Sequence, residues 1–380
     1  MDFIKNYQPK ISFFRIILLL ILVFTAKSLL AQDSAKNYKK RPFAFTFIAP
    51  VSSNGTDANK IVNNVSLTMI AGYSAGLEGA EFGGFGNVEL DYVKGAQFAG
   101  FGNVVVNDVR GAQFAGFANY AGGNSRAGQF AGFANTNLGS LNGAQFAGFA
   151  NYCKGLDGLQ AAGFSNVSLG SVKGAQIAGF ANVANRVNGA QISGFLNVAR
   201  KVNGVQIGVF NFADSVDGAS IGFFSFVLQG YHKLEAFSTE VLYVNAAFKT
   251  GSDKFYNIFT AGIRPAKTPI WSYGYGIGTQ FNFGEKSTLN VDLVSNSLHE
   301  MGSWSNQLNL LNHLDLTYNY KFSDKFSVFA GPVLNVYVFD PIKTNAEKPL
   351  YTAPYVISDN LVSDTKIQSW IGAKAGIRLF

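Results

Sequence analysis

The chain has 380 residues, among them 42 glycines and 36 phenylalanines, yet only 14% of its residues are charged and its formal net charge is +7. Abundant aromatic residues with little charge exclude an intrinsically disordered protein and a long charged coiled coil. Nine prolines without a Gly-X-Y period exclude collagen, and a single cysteine, Cys153, excludes an internal disulfide framework and a metal site built on several thiolates.

Residues 1–31 have the organisation of a secretory signal peptide. Three basic residues precede an apolar run at 16–25, and a small residue, Ala31, stands at the exit of the segment. The run is shorter than the roughly 20 residues that span a bilayer, which favours a cleaved signal over a membrane anchor. We therefore predict export, with cleavage between Ala31 and Gln32, and no lipid attachment because no cysteine follows the run.

The net charge depends on this segment. Without residues 1–31 the chain has 26 basic and 22 acidic residues, so its net charge falls from +7 to +4. Such a modest excess gives little support to nucleic-acid binding, and we predict no nucleic-acid partner.

The segment 42–78 contains two strand-like stretches separated by a turn at Asn54-Gly55. It directly precedes a series of repeats. Because solenoids need a distinct terminal unit, we predict that this segment is an N-terminal β cap.

Ten copies of a short motif, typified by GAQFAGFAN, fill residues 79–228. Self-similarity at such a short, nearly constant spacing is the signature of a solenoid. The copies begin at residues 79, 95, 111, 127, 143, 158, 174, 189, 204 and 218.

Three positions of the motif form columns of identical residues. Stacking equivalent strands about 4.8 Å apart would bring these residues into register, so that amides hydrogen-bond and rings stack along the pile. The glutamine column runs from Glu81 through Gln97, Gln113, Gln129, Gln145, Gln160, Gln176, Gln191 and Gln206 to Ser220. The phenylalanine column is Phe85, Phe101, Phe117, Phe133, Phe149, Phe164, Phe180, Phe195, Phe210 and Phe224. The asparagine column is Asn87, Asn103, Asn119, Asn135, Asn151, Asn166, Asn182, Asn197 and Asn211.

Glycines mark the corners of each predicted turn. One glycine, from Gly84 to Gly194 in eight copies, would permit close backbone approach between turns. Another begins most copies and often follows asparagine or aspartate, a pairing that supplies the positive φ of a tight corner. We expect two short strands and two corners in each turn of 15–16 residues.

Two questions stay open at this point. Each repeat could instead be one strand of a transmembrane barrel, but the copies show no odd-even difference, which favours a parallel solenoid. Both faces of the predicted strands carry large apolar side chains, so the sequence does not decide which is inside. One apolar face must then meet something other than bulk water.

Residues 230–380 show strict alternation of polar and apolar positions over about a dozen residues at a time. This pattern is typical of the apolar-out, polar-in strands of outer-membrane barrels, and we predict a small antiparallel membrane barrel of about eight strands. Trp271, Tyr273, Tyr318, Tyr320 and Trp370 would form interfacial girdles. A soluble β-sandwich with one wet face is the alternative. The predicted strands are 234–249, 255–265, 271–284, 287–296, 306–322, 325–339 and 367–380, with a long loop at 340–366.

No arrangement of residues indicates an enzyme. His232, His299 and His313 are far apart in the sequence, and His313 alternates with polar residues, so we expect it to be solvated. No nucleophile motif, phosphate-binding loop or paired carboxylate is present. We predict no catalytic, cofactor-binding or metal-binding residue, and no reactive role for Cys153.

The repeated G-x-Q-x-x-G-F-x-N motif, preceded by SLTMIAGYSAGLEGAEFGGFGN, resembles a bacterial surface-repeat family of envelope proteins, the leptospiral surface-repeat type. The resemblance covers about residues 42–230 and implies a location in the cell envelope without an established activity. A weaker similarity is to curli-type subunits, whose repeats also combine glutamine, glycine and asparagine at short spacing.

The sequence thus predicts an all-β protein in which a parallel β-solenoid of about ten 15–16-residue repeats precedes a small membrane barrel. The expected function is non-enzymatic: a structural, adhesive or partner-binding role at the outer membrane or cell surface. Its partners would be outer-membrane lipid and a surface ligand, glycan or envelope protein. The alternatives are an outer-membrane pore or transporter whose lumen is lined by the glutamine and asparagine columns, and a self-assembling fibre subunit.

Overall fold

The computed structural model describes residues 37–301, 308–340 and 349–379. The chain is all-β, and the repeats form a parallel β-solenoid of about ten turns, followed by an antiparallel sheet. The described residues fall into two compact units, divided between Asn124 and Ser125. The predicted cleavage site, Ala31 and Gln32, lies outside the described residues.

In its described residues, the first unit consists of parallel strands, a two-residue strand (Val51–Ser52) that pairs antiparallel with the first strand, and one short 3-10 helix, Gly55–Lys60. Parallel pairing begins at its first long strand: β1 pairs with β3, β3 with β4 and β4 with β5. The segment 42–78 therefore has the same parallel pairing as the repeats that follow it. The strands are β1 (Lys39–Ile48), β2 (Val51–Ser52), β3 (Ile61–Thr68), β4 (Ala71–Gly83), β5 (Gly86–Ala99), β6 (Gly102–Val105), β7 (Val109–Ala115) and β8 (Ala118–Ala121).

The solenoid turns of the second unit are each built mainly from one long strand. We expected two short strands per turn, and this was wrong for the central turns, where a single strand bends at a bulge and breaks only at the Gly-Phe pair of the motif. The strands are β9 (Ser125–Ala131), β10 (Ala134–Ala147), β11 (Ala150–Ala162), β12 (Ser165–Ala178), β13 (Ala181–Ser193), β14 (Leu196–Ile207), β15 (Phe210–Ile221) and β16 (Phe224–Val227).

The bulge explains how repeats of unequal length stay in register. Between β12 and β13, Asn166 lies opposite Asn182 and Gln176 opposite Gln191, with a register shift between Ser168 and Ser171. The extra residue of the longer repeat is accommodated at this shift. The glutamine and asparagine columns therefore remain aligned here although the spacing of the copies varies from 14 to 16 residues.

The glycine that begins most copies has the predicted left-handed backbone. Gly158 has φ +141° and Gly174 has φ +120°. A Cβ atom on Gly174 would also collide with the carbonyl oxygen of Gly158 in the preceding turn. Positive φ and close approach both require glycine here.

The C-terminal sheet is antiparallel, and two features of its strand prediction were wrong. The predicted strand 234–249 is two strands joined at 240–243, because the chain reverses there. The predicted loop 340–366 contains a short strand, β24. The strands are β17 (Tyr231–Thr239), β18 (Val244–Ser252), β19 (Phe255–Arg264), β20 (Ile270–Asn282), β21 (Ser287–Glu300), β22 (Asn309–Ser323), β23 (Phe326–Phe339), β24 (Ser358–Val362) and β25 (Thr365–Leu379).

Strand pairing in this sheet returns to its starting point. Each strand from β17 to β23 pairs with the next, β23 pairs with β25, and β25 pairs with β17, with Leu379 opposite Leu234. The strand β24 pairs only with β25. The eight strands β17–β23 and β25 thus form a closed cycle of hydrogen-bonded neighbours, which we call the closed strand cycle.

Candidate functional site

The glutamine column lies inside the solenoid and forms a continuous amide ladder. In the second unit each side-chain amide nitrogen donates to the side-chain oxygen of the preceding turn: Gln160 to Gln145 at 2.7 Å, Gln176 to Gln160 at 2.8 Å, and Gln191 to Gln176 at 2.8 Å. These glutamines are 0% exposed. Their burial is tolerated because each amide pairs with another amide.

The asparagine column is a second buried ladder whose hydrogen bonds point the other way along the solenoid. Asn166 Nδ2 donates to Asn182 Oδ1 in the following turn at 3.0 Å, and also to the backbone oxygen of Ile177 at 2.7 Å. Between the two ladders runs an apolar column that includes Leu141, Val172 and Val187. The solenoid interior is therefore narrow, filled and largely polar.

Phenylalanine occupies outward positions, which answers the question that the sequence left open. Neighbouring rings of Phe133, Phe149, Phe164 and Phe180 stack with centroids 4.9 Å apart and planes within 2° of parallel. From Phe133 to Phe195 each of these residues is 40–42% exposed. Stacking covers the ring faces and leaves the edges exposed.

A second outward column runs beside the first, three positions earlier in each motif. We call the surface formed by the two columns in the second unit the aromatic face. Its second column consists of Phe130, Phe146, Ala161, Ile177, Ile192, Ile207 and Ile221.

The charged residues of these turns lie elsewhere. All of them fall in the variable segments between an asparagine of the motif and the glycine or alanine that begins the next copy, which we call the charged flank. Its members are Arg126, Lys154, Asp157, Lys173, Arg186, Arg200, Lys201, Asp214 and Asp217. The solenoid of the second unit is therefore amphipathic across its section.

The inner face of the closed strand cycle contains a buried network of charges. Lys249 Nζ lies 3.0 Å from Glu235 Oε1 and 2.5 Å from Asp292 Oδ2, and Arg378 Nη2 lies 2.7 Å from Glu235 Oε1. Tyr256 donates a hydrogen bond to Asp292 at 2.7 Å. Two cations and two anions thus balance one another away from water, as buried charges require.

A second polar group lies further along the same inner face. His313 Nδ1 is 2.5 Å from Asp315 Oδ1, Lys374 Nζ is 2.8 Å from Asp315 Oδ2, and His313 Nε2 is 2.8 Å from the side-chain nitrogen of Asn296. We expected a solvated His313, and this was wrong, because the polar face of its strand points into the cycle. Its solvent exposure is only 7%.

The far part of the inner face is apolar and aromatic. Trp370 was expected at a membrane interface, but it is fully buried and donates through Nε1 to Glu240 Oε1 at 2.9 Å. Around it pack Leu298, Tyr337 and Tyr351, together with other members of one cluster. This cluster fills the cycle at the end that carries the connection 240–243.

A small cavity lies between the polar and apolar parts of the inner face. This cavity, lined by Asn245, Asn296, Leu311, His313 and Asn335, has about 20 Å³ of space for water. That is room for about one water molecule.

The outer face of the cycle is apolar, in contrast to its inner face. Residues that alternate with the buried network are large, hydrophobic and substantially exposed. They include Leu234, Phe248, Tyr273, Ile277, Phe281, Leu293, Leu314, Leu316, Tyr318, Tyr320, Val328, Leu334, Ile371, Ile377 and Leu379.

The last solenoid turn packs on this outer face. Asn257, at an outward position of β19, accepts a hydrogen bond from the backbone nitrogen of Ser225 at 2.8 Å and donates to the backbone oxygen of Gly222 at 2.7 Å. Phe223 stacks on Tyr275 with centroids 5.0 Å apart, and Phe224 contacts Phe259 at 6.0 Å. Asn257 is buried by this contact.

The first unit contains a buried pair of acids. Glu81, at the head of the glutamine column, accepts from Gln97 Nε2 at 2.8 Å, and Glu89 accepts from Ser74 at 2.7 Å. Burial raises the pKa of both carboxyls, and the charge of Glu81 raises the pKa of Glu89 further. The raised pKa values favour the protonated form of both carboxyls.

Features of conventional active sites are few in the part of the chain that the structure describes. There, no cluster of three or more His, Cys, Asp or Glu residues could hold a metal ion. Cys153 is buried, and burial raises the pKa of its thiol to about 11. Within the same residues, no helix is long and apolar enough to cross a membrane.

No protein family, characterised protein or solved structure matched the chain.

Proposed function

We propose that the chain is an exported, non-enzymatic outer-membrane protein in which the closed strand cycle is a membrane barrel that anchors the solenoid. The observation that carries this proposal is the inverted polarity of the cycle. Its inner face holds Glu235, Lys249, Asp292 and Arg378, whereas its outer face holds leucine, isoleucine and aromatic side chains. A protein surrounded by water has the opposite arrangement.

The extent of the apolar surface supports a lipid environment. Soluble monomers rarely expose apolar patches larger than a few hundred Å². Here exposed hydrophobic residues recur on every strand of the cycle except β19, on which the last solenoid turn packs. The strands from β20 to β23 have 13–15 residues, enough to cross a bilayer at the usual tilt. Trp271 and Tyr273 near one end and Tyr318 and Tyr320 near the other fit interfacial girdles.

Connections at the two ends of the cycle differ in length, which suggests an orientation. At the end where β17 begins, the connections are short: 253–254, 283–286 and 324–325. At the other end they include 301–308 and the long connection between Phe339 and Thr365. Outer-membrane barrels have short turns toward the periplasm and long loops outside. Because the repeats precede β17, we place them on the periplasmic side.

The pore alternative has less support. The glutamine and asparagine columns are 0–1% exposed and bond to one another, so they do not resemble the lining of a lumen. The closed strand cycle is filled by its charge network and its aromatic cluster. In planar bilayers we expect no steady conductance from the full chain. A wide, stable pore would favour the transporter alternative.

The proposal is tested by placing a charge on the outer face. Leu316→Arg in the full chain should reduce the fraction that folds into lipid vesicles, since arginine at a lipid-facing midplane position costs roughly 2–4 kcal/mol. Leu169→Arg is the matched control, because Leu169 is 61% exposed but lies in a variable segment of the solenoid. Folded protein is measured as the band that migrates faster without boiling.

Equal folding of the two variants would contradict the proposal. The same gel, run on the full chain and on a variant lacking residues 42–229, tests whether the cycle alone produces the heat-dependent shift. We expect the shortened chain to retain the shift. Its loss would mean that the repeats form part of the barrel wall.

A further inference from the structure

We infer that the aromatic face of the solenoid is a lipid-contacting surface, by which the turns of the second unit lie against the membrane beside the barrel. This inference rests on the proposed function, because it requires the closed strand cycle to be embedded in lipid. It adds a second membrane contact, outside the barrel, and gives the outward phenylalanines a partner of defined chemistry: the acyl chains of a bilayer leaflet.

The last solenoid turn connects the aromatic face with the outer face of the cycle. The sequence predicted Phe210 and Phe224 in line with Phe195, and this was wrong, because Phe210 lies opposite Leu196 and Phe224 opposite Phe210. The Phe224 ring nevertheless contacts Phe259 on the outer face of the cycle. The adjacent Phe223 stacks on Tyr275, another outward residue of the cycle, with planes 21° apart. The aromatic face therefore joins an apolar wall that, under the proposed function, is covered by lipid.

This contact lies in the middle of a strand of the cycle and not at a strand end. Tyr275 lies near the middle of β20 (Ile270–Asn282), well away from the short connection 283–286. A solenoid that stood clear of the membrane would contact only the strand ends. Contact with a mid-strand residue instead brings the last turn to the depth of the lipid-facing wall.

The chemistry of the face points to acyl chains rather than to a glycan or another polar ligand. Recognition of a glycan would need hydrogen-bonding groups at the surface beside the rings. From Gly174 to Phe212 the outward motif positions, and the position that follows each motif asparagine, hold only apolar residues. They are Ala175, Ile177, Phe180, Val183, Ala190, Ile192, Phe195, Leu196, Val198, Val205, Ile207, Val209, Phe210 and Phe212.

The charged residues of these turns are separated from the aromatic face. Every charged residue of these turns lies on the charged flank, where it can remain in water. An amphipathic element lies in a membrane interface with its apolar side among the acyl chains and its charged side in water. The solenoid has this division, although it is built from strands instead of a helix.

The test measures the surroundings of single spin labels on the full chain in phosphatidylcholine–phosphatidylglycerol vesicles. The native thiol is first replaced by Cys153→Ala, since alanine occupies the equivalent position at Ala184 and Ala199. Labels are then attached through Phe164→Cys on the aromatic face, Lys173→Cys on the charged flank of the same turn, and Leu293→Cys on the outer face of the cycle. Collision with oxygen reports lipid, and collision with a polar nickel chelate reports water.

We expect the label at residue 164 to resemble the label at 293, with nickel collisions at least about tenfold rarer than at 173, because a polar chelate is excluded from hydrocarbon. Ile192→Cys, in the other column of the aromatic face, should behave in the same way. Retention of the heat-dependent gel shift shows that each variant is folded.

The possible failures are distinguishable. If the labels at 164 and 192 collide with nickel as often as the label at 173, while the label at 293 is protected, the lipid contact of the solenoid is wrong and the barrel stands. If the label at 293 is also accessible to nickel, the membrane barrel is wrong, and the inference fails with it.

Discussion

The solenoid and the C-terminal sheet both enclose polar side chains, but they balance them differently. In the solenoid, neutral amides from equivalent positions bond to one another, as between Gln160 and Gln176. In the closed strand cycle, unlike charges from distant parts of the chain pair, as between Glu235 and Arg378, which are 143 residues apart. The reason is chemical: an amide both donates and accepts, so identical copies can satisfy each other, whereas identical charges repel.

The first position of the glutamine column holds an acid, Glu81, instead of an amide. Glu81 accepts a hydrogen bond from Gln97, as a glutamine would at this position. Glu81 is the first member of the column, so no glutamine oxygen of an earlier copy requires a donor from it. A second acid, Glu89, then faces it without a cation, and both carboxyls have raised pKa values. We expect a large loss of stability when the charge network of the cycle is changed, an intermediate loss for the glutamine ladder and a small one for the acid pair.

The largest effect is expected from removing an anion of the closed strand cycle. Glu235→Gln leaves Lys249 and Arg378 buried with less compensating charge. Breaking a buried ion pair in this way typically lowers the free energy of unfolding by about 3–5 kcal/mol. Urea unfolding from lipid vesicles measures the loss. Asp214→Asn is the control, because its pair with Arg200 is exposed and should contribute no more than about 1 kcal/mol. Equal losses would show that the interior network is not electrostatically coupled.

An intermediate effect is expected from interrupting the glutamine ladder. Gln176→Leu removes the acceptor of Gln191 and the donor to Gln160, and each unsatisfied buried group costs about 1–3 kcal/mol. Gln206→Leu is the matched control, since Gln206 donates to Gln191 but its own side-chain oxygen accepts no hydrogen bond among the described residues.

Thermal unfolding followed by circular dichroism should show roughly twice the destabilisation for the variant at 176. If the two positions are equally sensitive, the ladder does not act through its hydrogen bonds.

The smallest effect is expected from the buried acids of the first unit. Since folding raises the pKa of Glu89, its contribution to stability is complete below the ordinary glutamate pKa and is lost as the pH rises through the folded value. Hydrogen exchange of the backbone around residues 74–97 should therefore accelerate, beyond its intrinsic pH dependence, as the pH rises above the ordinary glutamate pKa of about 4.3. Glu81→Gln, which restores the residue found in most other copies, should flatten this dependence.

Glu78 provides the control for that measurement. Hydrogen bonds from Lys40 and then Tyr92 lower the pKa of this carboxyl to about 2, so it stays ionised over the same pH range. Glu78→Gln should shift stability by a constant amount without changing its slope. A slope unaffected by Glu81→Gln would exclude the acid pair as its cause.

Much of the solenoid could be predicted because its contacts join equivalent positions. The column of glutamines at Gln160, Gln176 and Gln191 implies parallel register, and the glycine that begins most copies implies a left-handed corner. The inside and outside could not be assigned in this way. Strand alternation separates two faces, but both faces of these strands carry apolar residues, so only the three-dimensional arrangement shows that phenylalanine points outward.

The interior of the C-terminal sheet was less predictable because its partners lie far apart in the sequence. Alternation placed His313 and Asp315 on one polar face, yet the same pattern fits a face in water and a face inside a closed cycle. Pairing of β17 with β25 decides between them, and no local pattern encodes that pairing. The break at 240–243 was missed because apolar residues continue through it.

The in-register bulge of the solenoid has an evolutionary consequence. Since asparagine faces asparagine and glutamine faces glutamine between β12 and β13 and between β13 and β14, removing or duplicating one whole copy of the motif there leaves equivalent residues opposed. Unequal copies of 15 and 16 residues can be joined because the bulge accommodates the difference. Tandem gene duplication could thus lengthen or shorten the solenoid in single-turn steps while the last turn and its attachment to the sheet stay unchanged.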